Sequence, residues 1–334
     1  MKDLNKYLVL GVMTGTSMDG IDLSLIKTDG INYVKIIKEE NYSYSLKKQM
    51  KLKEIVNNKP IKISAIYQYF KFYEDLITKD IIKHIKKFVL KNKIKHIDII
   101  SLSGQTMYHN PKKNITIQLG NGEKISDHFK IKVITNFREK DIINGGEGAP
   151  IGSYYHRYLI NIINKRAAII NIGGVTNLSQ IIKRKLISTD IGPGNAIIDD
   201  LVNHFYKKKY DKNGYYASKG NIIKKILFKF KKDYFFKKKY PKSLDRNNFD
   251  NYLNIMKKNT NNDSIATAVN FTIYSIKKFI DEKNNSYLNE IILTGGGRKN
   301  KFLLKELTDQ LKKLKISKID DYGFNGDLIE SQMF

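Results

Sequence analysis

The sequence predicts an α/β protein built from two related halves, and three observations carry that prediction. The stretches "YLVLGVMTGTSMDGIDLSLIKT" and "AAIINIGGVTNLSQII" repeat one pattern about 160 residues apart: an apolar run, a polar turn with glycines, a second apolar run. Helix and strand signals alternate around them, as in "AIYQYFKFYEDLITKDIIKHIKKFVLKNK" followed by "HIDIISLSGQT". At 334 residues the chain also exceeds the usual size of one domain.

Each element has a local reason. After the first turn, Ile21, Leu23 and Leu25 alternate with Asp22 and Ser24, which is the period of a strand. "HIDIISLSGQT" reads as a strand ending in a Gly-containing polar turn. "LISTDIGPGNAIIDDLVNHF" reads as strand, Gly-Pro-Gly turn and helix, with Asn195 placed to cap that helix or to contact a ligand. "LFKFKKDYFFKKKYPKSLDR" reads as a solvated helix and loop whose aromatics pack inward. From Asp263 a capped amphipathic helix is expected, with Ala266, Val269, Ile273 and Ile276 along one face. "EIILTGGGRKNKFLLKEL" is strand, triple glycine and helix. The expected division is residues 1–131 and 132–334.

Composition narrows the function classes. With 41% hydrophobic and 11% aromatic residues and only five Pro, the chain has ample material for packed cores. It has no Cys, which excludes disulfides, thiolate nucleophiles and Cys-based metal or iron–sulfur sites. No apolar run approaches the roughly 18 residues of a membrane span, and "MKDLNKYLVLG" has too short an apolar core for a signal peptide. A cytoplasmic protein without membrane association is expected. The net charge of +27 suggests polyanion binding, but only six of the 60 basic residues are Arg, the better fork for phosphates and bases. Lys, Asn and Ile are abundant throughout, so no specific nucleic-acid partner is expected.

The turn "GVMTGTSMDG" is neither a Walker A loop, lacking G-K-[ST], nor a G-x-G-x-x-G turn. Its small residues would let backbone N–H groups and hydroxyls approach a phosphate. Taken alone, the stretch is better explained as a plain polar hairpin.

Taken in order, the polar hairpin, the second Gly-rich hairpin, the strand-end Asp before a Gly turn and the strand-GGG-helix unit resemble the actin-like ATPase and sugar-kinase superfamily. "GVMTGTSMDGID", "SGQTMYHNP", "FREKDIINGGEGAPIG", "NIGGVTNL", "TDIGPGNAIIDD", "PKSLDR", "TGGGRKN" and "NGDLIES" are similar, block by block and in order, to the anhydro-N-acetylmuramic acid kinase family. The resemblance implies two ribonuclease-H-like domains with mixed sheets, flanking helices and ATP in an interdomain cleft. It implies a phosphotransferase of peptidoglycan recycling: ATP, 1,6-anhydro-N-acetylmuramic acid and water give N-acetylmuramic acid 6-phosphate and ADP. A homodimer is the family's habit.

Residue by residue, the resemblance makes Asp190 the base that activates water, although an Asp before such a turn also serves as a simple cap. It assigns ATP to Gly15, Thr16, Ser17, Met18, Asp19, Gly20, Ile21 and Asp22, to Gly173 and Gly174, and to Gly295, Gly296 and Gly297. Asp19 would hold Mg²⁺ through a water, and Asp22 is equally a structural strand residue. The sugar falls to Gln105, Thr106, His109, Arg138, Asp141, Gly192 and Asn195. Arg138 suits a lactyl carboxylate, and an Arg138–Asp141 ion pair is the structural alternative.

The chain departs from the family pattern at Ser103 (usually His), Glu147 (usually Gln), Ile191 (usually Thr) and Asp245 (usually Gly). Glu147 adds negative charge near an anionic substrate unless a cation such as Lys140 offsets it. The helix that should return to the first domain stops at Phe334, after about two turns. These departures keep open a catalytically impaired nucleotide-binding homologue, and a kinase for another amino sugar is the rival enzyme.

Overall fold

A computed structural model describes residues 5–15, 18–110, 113–149, 151–244, 246–282 and 287–334. The chain forms two units, one of residues 1–152 with 328–334 and one of residues 153–327.

Unit 1 runs β1 (Tyr7–Met13), β2 (Gly20–Thr28), β3 (Val34–Ser43), α1 (Leu46–Asn57), α2 (Ile63–Lys71), α3 (Glu74–Lys91), β4 (Ile99–Leu102), β5 (Gln105–Asn110), β6 (Ile115–Leu119), α4 (Gly122–Phe129), β7 (Lys132–Ile134) and α5 (Phe137–Ile143). Its main sheet has the order β3-β2-β1-β4-β7, and β5 and β6 pair apart from it. β1 runs antiparallel to β2 and parallel to β4. α3 presents Ile77, Ile81, Ile85 and Phe88 to the core at helical spacing, against Leu10, Val12, Ile21 and Leu23 of the strands. Side-chain caps start two helices: Ser45 accepts from the Lys48 N–H for α1, and Asn121 from the Lys124 N–H for α4.

Unit 2 runs α6 (Ser153–Ile163), β8 (Ala167–Ile172), β9 (Val175–Ile182), β10 (Lys185–Pro193), α7 (Asn195–Tyr206), α8 (Lys224–Lys231), α9 (Asp250–Met256), α10 (Asn261–Glu282), β11 (Glu290–Thr294), α11 (Lys301–Gln310) and β12 (Lys315–Lys318). The sheet order, β10-β9-β8-β11-β12, repeats that of unit 1, with the same two antiparallel and two parallel pairings. The α/β fold with two mixed sheets is therefore the expected one, and the two hairpins are its corresponding first pairs of strands.

Three features differ from the sequence reading: the unit boundary, the burial of Ser24 and the course of the long helix of unit 2. The return of the last helix to unit 1 is what the family resemblance implies. β7 pairs with β4 and so completes the first sheet, which carries unit 1 past residue 131 to Gly152. The short α12 (Ile329–Met333) then belongs to unit 1, packed on β1 and β2. Ser24, on the polar side of the β2 alternation, is wholly buried because α12 covers that face. Its hydroxyl shares a 2.6 Å hydrogen bond with Ser331, and Gln332 donates to Glu39 at 2.6 Å. α10 begins at Asn261, not at an Asp263 cap, and Asp263 instead accepts from the Asn221 N–H at 2.7 Å. Its residues Ser264–Ile273 are buried all round, so an amphipathic stripe exists only toward its end.

The Lys-rich aromatic segment packs inward only in part: Phe230, Phe235 and Phe236 are buried, and Phe230 stacks on Phe271 with centroids 3.8 Å apart, whereas Phe228 and Tyr234 face solvent. Among the described residues no helix is long and apolar enough to cross a membrane.

Candidate functional site

In unit 1 the turn after β1 is braced from the strand ends beside it. The Thr14 N–H donates to Ser103 Oγ at 3.1 Å, and Gln105 Nε2 donates to the Gly15 carbonyl at 2.9 Å. Gly15 also accepts from the Met18 N–H at 3.1 Å, and Met18 takes a left-handed φ of 55°, rare for a side chain of its size. Asp19 projects into solvent, while its carbonyl accepts from the Tyr44 N–H. Gly20 and Ile21 are buried at the start of β2, where Gly20 passes close to the Tyr42 carbonyl. Asp22 accepts from Asn41 Nδ2 at 2.6 Å across to β3, so it has the structural role open to it. Thr16 and Ser17 lie outside the described residues.

The other unit 1 residues divide into supports and exposed groups. Gln105 is buried and commits its amide N–H to the hairpin turn. Thr106 is half-buried on β5, and His109 Nδ1 lies 3.0 Å from Thr116 Oγ1. Arg138 and Asp141 do not pair with each other. Both fasten Gly148: Arg138 Nη1 donates to its carbonyl at 2.8 Å, and Asp141 Oδ2 accepts from its N–H at 2.7 Å. Burial pushes the Arg138 guanidinium down from its ordinary pKa, opposed by the charge of Glu330 on α12. The two residues thus fix the loop carrying Glu147, whose side chain is exposed; no ion pair joins it to Lys140 among the described residues.

In unit 2 the second hairpin is tied to the start of α7. The Gly194, Asn195 and Ala196 N–H groups donate to the Gly174 and Gly173 carbonyls, so these first amides of the helix are engaged within the protein. Asn195 does not cap α7; its Nδ2 donates to the Ile172 carbonyl at 3.0 Å. Gly192 packs against Ser275 of α10, where a Cβ would overlap the Ser275 side chain. Of the three glycines after β11, Gly295 and Gly297 press against Asn171 and Ile172 at the end of β8, whereas Gly296 is exposed.

Asp190 sits near the end of β10, where a register shift between Asp190 and Gly192 re-aims the strand. Ile191, at the bulge, is buried in the core, which accounts for an apolar residue there. The Leu244 N–H donates to Asp190 Oδ2 at 2.7 Å, and the Asp190 N–H donates to the Lys242 carbonyl at 3.0 Å. Asp245 lies outside the described residues.

Sequence reasoning gave no role to Arg298, which is 2% exposed. It makes a two-bond fork to Asp320 at 2.6 and 3.1 Å and donates at 2.9 Å each to Asp327 and to the Gly295 carbonyl. It therefore locks the glycine loop to residues 320–327. Its place among only six Arg, directly after the glycines, was the available signal.

Two observations bear on ligands. Thr14 Oγ1 is buried at the hairpin turn with no hydrogen-bond partner among the described residues, which suits a turn that receives an acceptor-rich group such as a phosphate. No group of three or more His, Asp or Glu that could hold a metal ion occurs among the described residues. A single exposed carboxylate such as Asp19 fits a Mg²⁺ ion that keeps most of its waters.

A family model described as anhydro-N-acetylmuramic acid kinase matches residues 7–334. Curated proteins of that name are similar along the whole chain. The one from Pelagibacter ubique (strain HTCC1062) is 37% identical, covering 98% of this chain and 90% of its own length. Those from Zymomonas mobilis and Caldanaerobacter subterraneus are 34% and 33% identical, each covering 98% of this chain and 91% and 89% of their own.

Proposed function

Because the chain belongs to the anhydro-N-acetylmuramic acid kinase family, we propose that it opens 1,6-anhydro-N-acetylmuramic acid with water and phosphorylates O6 at the expense of ATP. The products are N-acetylmuramic acid 6-phosphate and ADP, a step of cell-wall recycling in the cytoplasm, where ATP is available.

The observation that carries the mechanism is Asp190, set at a strand bulge with one carboxylate oxygen fixed by the Leu244 N–H. A carboxylate so oriented can take a proton from water as that water attacks the anomeric carbon, in the manner of the base of an inverting glycosidase. The anomeric C–O6 bond breaks, and O6 attacks the γ-phosphorus, so the leaving oxygen of one step is the nucleophile of the next. Phosphoryl transfer then asks chiefly for positioning and charge neutralisation.

The unit 1 turn from Gly15 to Asp22, with the Thr14 hydroxyl, would hold ATP phosphates. Asp19 would hold Mg²⁺ through water, and the ion supplies charge neutralisation. Gly173 and Gly174 and the exposed Gly296 are the unit 2 candidates for nucleotide contact. Gln105, Gly192 and Asn195 act as supports, whereas Thr106, His109 and Arg138 remain the candidates for the sugar, and Asp141 secures the Arg138 loop.

Asp190→Asn keeps the shape and removes the base. The expected result is a loss of about 10²–10⁴-fold in turnover with ATP affinity retained. Incubation with Mg-ATP, the anhydro sugar and ¹⁸O-water, read by mass spectrometry, should place label at the anomeric hydroxyl of the 6-phosphate. Near-normal turnover by the variant, or unlabelled product from the native protein, overturns the reading.

A further inference from the structure

The segment after α8 approaches Asp190 along the outer edge of the unit 2 sheet, where β10 is the edge strand. Four hydrogen bonds seat residues 242–244 there. The Lys242 N–H donates to Thr189 Oγ1 at 2.7 Å, Thr189 Oγ1 donates to the Lys242 carbonyl at 3.3 Å, and the Asp190 N–H donates to that same carbonyl at 3.0 Å. The fourth is the Leu244 N–H on the Asp190 carboxylate, at 2.7 Å. The location of one oxygen of Asp190 thus depends on where this segment lies.

A buried cation adds a further anchor to the segment. The Lys242 side chain turns inward, only 7% of the residue being exposed, and its ammonium donates to the Phe235 carbonyl at 3.1 Å. It lies 4.1 Å from the Tyr240 ring centre and 4.5 Å from that of Phe235. A buried ammonium needs acceptors and compensating charge close by, and the Phe235 carbonyl and the nearby ring faces supply part of these at a defined place. An apolar side chain would fill the same space without fixing how far 242–244 slides along β10.

We propose that Lys242 is a positioning residue for the reaction, acting through Leu244 to fix the Asp190 carboxylate. It touches neither sugar nor nucleotide in this role. The proposal rests on Asp190 as the base.

Lys242→Met retains the stem and removes the ammonium. The expected result is a fall in kcat of up to about 10²-fold, the cost of misplacing a reacting group by about 1 Å, with KM for ATP changed less than about twofold. The same substitution made in Asp190→Asn should lower the residual turnover by less than about twofold, because the group it positions is already gone. Thr189→Val, a milder change at the same seat, should give the same pattern with a kcat loss of about tenfold, and serves if Lys242→Met does not fold. An unchanged kcat in both single variants, or an equal fall in both backgrounds, overturns the proposal. If Asp190→Asn alone keeps native turnover, the base assignment fails and this inference with it. If Asp190→Asn is inactive while Lys242→Met and Thr189→Val are not, only the inference fails.

Discussion

Replacing Arg298 by Met tests whether one side chain secures the glycine loop of unit 2. Met retains most of the aliphatic volume, so the substitution removes interactions and leaves little cavity. Four donations disappear: the fork to Asp320 and the single bonds to Asp327 and to the Gly295 carbonyl. Hydrogen bonds to charged groups contribute about 1.5–3 kcal/mol each in buried settings. Here the side chains of Asp320 and Asp327 are 41% and 48% exposed and regain water when Arg298 is lost. That solvation removes much of their share, whereas the Gly295 carbonyl and the buried guanidinium site gain little from it. A net loss of about 3 kcal/mol follows, below the sum of the parts. For a unit of this size it corresponds to a melting temperature lower by about 6–12 °C.

The measurement is thermal unfolding of the whole protein, with Lys299→Met as the control. Lys299 also pairs with Asp327, but its side chain is 59% exposed, and such a pair contributes under about 1 kcal/mol. Arg298→Met melting within about 2 °C of the native protein, or no lower than Lys299→Met, refutes the reasoning. The clamp also has a pH signature. Hydrogen bonding by Arg298 holds the Asp320 carboxyl below the usual carboxylate range. Its contribution is therefore complete above the ordinary Asp value of about 3.9 and is lost as pH falls through the lower folded value.

Two further outcomes follow from unit 2. Gly297→Ala should destabilise by about 1–3 kcal/mol because the new methyl overlaps the Ile172 side chain, whereas at Gly296 the nearest atom, Asn195 Nδ2, is 3.6 Å away. Gly296→Ala should therefore melt normally and weaken only ATP binding, which calorimetry separates. His156 on α6 is buried with its Nδ1 2.8 Å from Ser179 Oγ, and burial pushes its imidazole down to about 4 from 6.5. The unfolded chain takes up the proton first, so stability falls between pH 6.5 and 4 by up to about 3 kcal/mol. Asp199, raised to about 7 by burial, acts in the opposite sense, losing stability as pH rises toward that value. Denaturant titrations should therefore be read as the difference between the native protein and His156→Gln, and a difference independent of pH excludes the burial account.

Local pattern carried the hairpins, the bulged strand into α7 and the strand-GGG-helix unit, because each depends on neighbours within a few residues. It could not carry what distant segments do. Ser24 is polar in an alternating strand, yet buried, since the face it occupies is covered by α12 from over 300 positions away. Asp263 resembles a helix cap, and only the packing of residue 221 shows which N–H it satisfies. For Arg138 and Asp141 the sequence offers the sugar or, as the structural alternative, a mutual ion pair, whereas both bind Gly148 several residues on. Lys242 stood in a motif block with no role, for its aromatic surroundings assemble only when the 3₁₀ turn at Tyr234–Lys237 folds against residues 240–244.

The seat of α12 has a consequence for synthesis. Ser24 and Ser331 are 307 positions apart, Glu39 and Gln332 293 apart, and residues 153–327 lie between the two parts of unit 1. At about 5–20 residues per second, the ribosome takes roughly 9–35 s to make that intervening stretch. Throughout this interval the nascent β1–β2 pair lacks the cover that α12 gives to Ser24, and to Gly11, which the Ser331 carbonyl approaches closely. The first sheet is complete at β7, yet one of its faces gains its cover only when α12 has been made. Contacts of such sequence separation are slow to form, so the docking of residues 328–334 on β1 and β2 must follow the synthesis of all of residues 153–327.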